Sequence, residues 1–131
     1  MRVLLDTNAY TALLRGHSEV AGLVRRSEEV LISPVVAGEL LFGFRNGARY
    51  EANRRQLEAF LDSPFVRLLE ITLVTAERFG RLAAGLRKKG RPIPSNDLWI
   101  AAQAMETGAD LLSFDKHFAE IDGLAWIRPE A

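Results

Sequence analysis

The chain has 131 residues, 48% of them hydrophobic and 26% charged, with 17 basic residues balanced by 17 acidic ones. These are globular proportions, so disorder, collagen-like repeats and a coiled coil are excluded, and zero net charge excludes a uniformly basic coat for nucleic acid or membrane. With no cysteine there are no disulfide staples, thiol nucleophiles or cysteine-held zinc, and with only two histidines the expected donor to any metal is oxygen.

The start, Met1-Arg2-Val3-Leu4-Leu5-Asp6, reaches an acid after three apolar residues, too short a run for a signal-peptide core. No stretch approaches the roughly 18 apolar residues that span a membrane. The expectation is a soluble, cytoplasmic protein forming one domain over residues 1–131, without repeats or a dividing linker. Val3 to Leu5 reads as a buried strand, followed by a helix to about Arg15 that Thr7 and Asn8 can cap. Ser18 can cap a short helix ending near Arg26, and Glu29 to Ile32 is a second strand. Ser33-Pro34 has the form of an N-cap followed by proline in the first turn, starting a helix to about Arg45. A polar helix spans roughly Arg49 to Leu61, with Leu57, Phe60 and Leu61 on its inner face. Ser63-Pro64 breaks it, and Val66 to Ile71 is a third strand.

From Thr72 the apolar positions Leu73, Ala76, Phe79, Ala83 and Leu86 recur at helical steps. Lys88, Lys89 and Gly90 end that helix, and Arg91-Pro92-Ile93-Pro94 is a stiff loop. Ser95-Asn96 opens a helix through Glu106 that is apolar almost all round and therefore buried. Leu111 to Ser113 and Leu124 to Ile127 are the fourth and fifth strands. Apolar strands alternating with helices predict a parallel sheet covered on both faces, hence a three-layer α/β/α domain with a mostly parallel sheet of four or five strands.

Most acids have a plain explanation on helix faces or in turns, Glu106 and Glu120 among those assigned to solvent. Four do not. Asp6 and Asp115 follow the first and fourth strands, Asp97 lies in the first turn of the apolar helix, and Glu39 stands among Val35, Val36, Ala37, Leu40 and Leu41. Strand carboxyl ends and the helix starts that follow them share one edge of a parallel sheet, where ligands bind. Taken singly, an aspartate after a strand is often only a cap or turn former, and one in a first helical turn is favoured by the helix dipole. Two unit charges about 4 Å apart repel by roughly 4 kcal/mol in a protein-like medium, so gathered carboxylates take up protons or hold a cation. With oxygen donors the cation would be hard, magnesium or manganese, and such a cluster suits phosphodiester hydrolysis.

The segments Val3-Leu4-Leu5-Asp6-Thr7-Asn8, Ser33-Pro34-Val35-Val36-Ala37-Gly38-Glu39-Leu40, Asn96-Asp97-Leu98-Trp99-Ile100-Ala101-Ala102 and Leu112-Ser113-Phe114-Asp115-Lys116-His117-Phe118, in this order and spacing, resemble the PIN-domain ribonucleases. In particular they resemble the toxins of VapBC-type toxin–antitoxin pairs. The resemblance spans essentially the whole chain. It implies that Asp6, Glu39, Asp97 and Asp115 hold Mg2+ or Mn2+, that Asn8 supports the first acid, and that Thr7 and Ser113 place hydroxyls near metal or phosphate. It also implies a small VapB-type antitoxin as partner, with Leu40, Leu41, Phe42 and Phe44 as contacts or simply as core, and a homodimer. None of the four acids is replaced by its amide.

Two basic stretches suit phosphate contact along RNA: Arg45, Arg49, Arg54 and Arg55, then Arg87, Lys88, Lys89 and Arg91. Cations before a helix-ending glycine also complement the helix C-terminus, which explains the second stretch without RNA. His117 reads chiefly as a solvated residue at a helix start, and Trp99 as core. Two other functions compete with a metal-dependent endoribonuclease. One is a non-catalytic PIN-like interaction module. The other is an aspartyl-nucleophile phosphohydrolase of the haloacid-dehalogenase kind, which would want an acid where Asn8 stands. A receiver domain would want a phospho-acceptor aspartate after the third strand.

Overall fold

The computed structural model describes the whole chain, Met1–Ala131. Five strands, β1 Arg2–Leu5, β2 Glu29–Ile32, β3 Val66–Leu68, β4 Asp110–Leu112 and β5 Trp126–Ile127, form one sheet in the order β3-β2-β1-β4-β5. Every neighbouring pair is parallel. The helices are α1 Thr7–Leu14, α2 Ser18–Arg26, α3 Pro34–Arg45, α4 Tyr50–Leu61, α5 Leu73–Lys88 and α6 Ser95–Thr107, with a 3-10 turn over Lys116–Glu120. None is long and apolar enough to cross a membrane.

Successive strand residues point to opposite faces. Val3, Leu4 and Leu5 of β1 and Val30, Leu31 and Ile32 of β2 are nevertheless all fully buried. Both faces of the central sheet are therefore covered, which is why these strands read as unbroken apolar runs. Each buried aliphatic side chain contributes about 1.5–3 kcal/mol relative to an exposed one. Helix α6, with Leu98, Ile100, Ala101, Ala102 and Ala104 buried, packs between α5 and α3.

The sheet grows outward from β1 in two directions, to β2 and β3 on one side and to β4 and β5 on the other. The reversal falls between β1 and β4, and the crevice outside the carboxyl ends of such strands is the usual ligand position in open α/β sheets. Asp6 follows β1 directly, and Ser113 follows β4.

Several local expectations are corrected. Helix α1 is capped by Asp6, whose Oδ1 accepts the Ala9 N–H at 2.9 Å, and not by Thr7 or Asn8. Helix α2 is capped by His17, whose Nδ1 accepts the Val20 N–H at 3.3 Å, with Ser18 already helical. Strand β3 ends at Leu68 rather than Ile71: after Leu69 donates to the Ile32 carbonyl at 2.8 Å, β2 offers no further partner. Leu73, expected on the inner face of α5, is 84% exposed, and Thr75 takes the inward place. Glu106 is half-buried instead of solvated, accepting the Thr75 hydroxyl at 2.8 Å.

Candidate active site

At the β1–β4 crevice the four acids come from four separate segments. Asp6 is 6% exposed. Its Oδ1 receives the α1 cap bond, and its Oδ2 accepts the hydroxyl of Ser113. The same Ser113 oxygen accepts the Asp115 N–H at 3.0 Å, so one hydroxyl ties the ends of β1 and β4 together. Trp126 donates its indole N–H to the Ser113 carbonyl at 2.9 Å, fixing the residue from the β5 side. Glu39, in the second turn of α3, accepts the Thr7 hydroxyl at 2.6 Å and the Asn96 amide at 3.2 Å. Those bonds link α1, α3 and α6 through a single carboxylate. They also answer why a glutamate is tolerated among apolar neighbours: its charge is hydrogen-bonded on both oxygens.

Asp97 and Asp115 meet across His117. The imidazole Nδ1 lies 3.0 Å from Asp97 Oδ2 and 3.1 Å from Asp115 Oδ1. One donor atom from each of the three residues lies within 4.8 Å of the other two.

The electrostatics follow from this crowding. Burial, the largest cause, pushes the Asp6 carboxyl up to about 6, assisted by the charges of Asp97 and Asp115 and opposed by the Ser113 and Ala9 hydrogen bonds. Asp97 is likewise raised, first by burial, with Asp115 and Glu39 adding to the rise and His117 opposing it. His117 is raised, chiefly by its hydrogen bond to Asp97. Asp6 and Asp97 thus feel their acidic neighbours as like charges. A divalent cation would remove that conflict, and clustered carboxylates with one imidazole are a fitting donor set for it.

Asn8 faces solvent at the start of α1 and makes no hydrogen bond to Asp6, which its resemblance-based role would need. Of the basic residues, Arg91 shares a depression of about 400 Å³ with Lys116 and His117, beside the acids. Arg91 lies 3.7 Å from Glu120 and Lys89 lies 2.7 Å from Asp122, both in exposed ion pairs. Arg45 stacks over the Tyr50 ring at 4.0 Å, and Arg49, Arg87 and Lys88 are exposed. Trp99, expected as core, is half-buried and stacked on Phe79 with ring centroids 4.1 Å apart. His117 is exposed, as expected, yet its ring contacts two of the acids, and Lys116 stands next to it. Their signal is the position itself, immediately after an acid at a strand end.

The PIN domain family model matches residues 3–124. The chain belongs to the PIN domain family. Among related proteins of this family, it is 37% identical over 123 residues to Ribonuclease VapC19 of Mycobacterium tuberculosis, covering 88% of this chain and 90% of that one. Its structure is similar to that of VapBC-1 from nontypeable Haemophilus influenzae, with a TM-score of 0.86, 30% identity and 98% of both chains covered. It is also similar to VapBC-5 of Mycobacterium tuberculosis, a member of the VapBC family of toxin–antitoxin systems, with a TM-score of 0.74, 27% identity and 98% of both chains covered. A PIN domain is neither a dehalogenase-like phosphohydrolase nor a receiver. In PIN terms, the segment from Asp6 to Asn8 is a strand end and helix start, and Asp6 serves both as cap and as a member of the acid group.

Proposed function

We propose that this protein is an endoribonuclease toxin of the VapC type, held in check by a VapB-type antitoxin. The observation that carries this reading is the meeting of Asp6, Glu39, Asp97 and Asp115 at the sheet's switch point, in a PIN domain whose relatives are named ribonucleases. Asp6, Glu39, Asp97 and Asp115 would hold a divalent cation, Mg2+ or Mn2+. Such an ion, when bound, acidifies water and neutralises charge on the phosphate.

The chain's own residues supply the rest. Ser113 and the α1 cap orient Asp6, and Thr7 and Asn96 orient Glu39. A carboxylate of the group takes a proton from the attacking water, the water oxygen bonds to phosphorus as the P–O bond to ribose breaks, and the departing ribose oxygen takes a proton from solvent. Arg91 and Lys116 border the site with positive charge, suited to the flanking phosphates, and Arg45, Arg49, Arg87, Lys88 and Lys89 extend that charge further away. On α3, Phe42 is 70% exposed beside half-buried Leu41 and Phe44, an apolar face suited to an antitoxin helix, while Leu40 is core. The exposed apolar residues Phe65, Leu68, Ile71, Leu73 and Val74 line the β3 edge and the start of α5, a surface a second copy would cover. The chain forms one PIN domain over residues 1–131 and works in the cytoplasm.

Incubating metal-stripped protein with RNA tests the activity. Cleavage is expected on adding Mg2+ or Mn2+, with a loss of at least about 100-fold for Asp97→Asn. Unchanged cleavage by that variant would overturn the assignment of the acids, and cleavage that persists in excess antitoxin would overturn the partner.

A further inference from the structure

The imidazole of His117 stands inside the acid group, although the ring is 49% exposed and no packing forces it inward. The turn over Lys116–Glu120 begins on Asp115, whose Oδ1 accepts the His117 backbone N–H at 2.9 Å and so folds the residue back over the acid. Nδ1 then lies 3.0 Å from Asp97 and 3.1 Å from Asp115. Neighbouring ligands of an octahedral ion with bonds of about 2.1 Å are about 3.0 Å apart, the same separations. Carboxylates alone suit Mg2+, Ca2+ and Mn2+ alike, whereas imidazole favours transition metals.

We infer that His117 Nδ1 is a metal donor beside Asp97 and Asp115, and that this nitrogen biases the site toward Mn2+ over Mg2+. The inference rests on the reading of Asp97 and Asp115 as metal ligands, and it revises the expectation of oxygen donors only. Without metal, Nδ1 hydrogen-bonds to the two carboxylates; with the ion in place, its lone pair takes over that contact. The second histidine, His17, is engaged elsewhere, 2.7 Å from the Glu130 carbonyl, and serves as an internal reference.

Pulsed EPR of the Mn2+-loaded protein should show nitrogen modulation from a directly bound imidazole, lost in both His117→Gln and His117→Ala. Calorimetry with each metal alone should show about a tenfold loss of Mn2+ affinity in these variants, and a smaller loss for Mg2+. The half-exposed position should leave their melting curves close to wild type. Asp97→Asn should abolish binding of both metals. If that control behaves so but the wild type shows no nitrogen modulation, the role of His117 is overturned and the acid site stands. If Mn2+ does not bind, or binds equally well to Asp97→Asn, both readings fall.

Discussion

Asp6 carries two duties that pull its chemistry in opposite directions. As the cap of α1 it accepts a backbone N–H, which favours the carboxylate; as a residue buried beside Asp97 and Asp115 it is driven toward the neutral acid. Burial wins, and the group sits at about 6 in the fold against an ordinary value of 3.8. A carboxyl raised on folding leaves stability intact below its unfolded value and removes it as pH rises through the folded value. The metal-free protein should therefore lose stability between about pH 4 and pH 6, by about 3 kcal/mol for this group. Asp6→Asn should accordingly be more stable than wild type in denaturant melts at pH 7.5, with the gain vanishing near pH 4, while its RNA cleavage is lost. A wild-type melt indifferent to pH across that window would contradict the assignment. Saturating Mn2+ should shrink the wild-type dependence, since the cation stabilises the carboxylate. Ser113 makes a separate prediction. Its hydroxyl joins Asp6 to the Asp115 backbone, so Ser113→Ala should weaken metal binding about 10- to 100-fold, measured by calorimetry, as for other groups that orient ligands.

At the scale of elements, capping decides where the acids stand. Helix α1 starts as soon as β1 ends, which is possible only because Asp6 is itself a good cap residue. Helix α6 ends at Gly108 with φ of 70°, in the left-handed region, and the chain enters β4 two residues later. Gly108→Ala should cost about 1 kcal/mol in urea unfolding, through strain at that φ. Gly85, mid-helix in α5 with ordinary φ, has open space where a methyl group would stand, with nothing within 4 Å. It should respond oppositely, with Ala stabilising by about 0.5–1 kcal/mol. Equal effects at the two sites would remove the conformational explanation. The elements also show how legibility varies. The Ser33-Pro34 start of α3 is readable because a serine cap before a first-turn proline is local chemistry. The early end of β3 is not, because it depends on how far β2 extends to offer partners.

For the whole molecule, zero net charge conceals a segregation. The acids converge at the β1–β4 crevice, and Arg91 and Lys116 stand at its border. Lys89 and Arg91 are held in exposed ion pairs with Asp122 and Glu120, worth at most about 1 kcal/mol each and easily exchanged for phosphate. RNA binding by the Asp97→Asn protein should therefore weaken steeply with salt, and less steeply once Arg91 and Lys116 are both replaced by Gln, as followed by fluorescence anisotropy. On the apolar face of α3, Phe42→Asp should cut antitoxin capture at least about tenfold without lowering the melting temperature, because a 70% exposed ring contributes little to the core.

Taken by itself, the sequence determined the three-layer class and the succession of elements, and it marked Asp6, Glu39, Asp97 and Asp115 as candidates for one site. The class and the elements rest on periodicity and turn chemistry, which act over a few neighbouring residues. The tertiary structure alone decided the strand order, and with it the switch point at which Asp6 and Asp115 meet. It alone turned His117 inward onto Asp97 and Asp115, tied Glu39 to Thr7 and Asn96, and left Asn8 in solvent. Contacts between residues 20 to 107 positions apart are fixed by how helices pack on the sheet, and no local pattern in the chain encodes that packing.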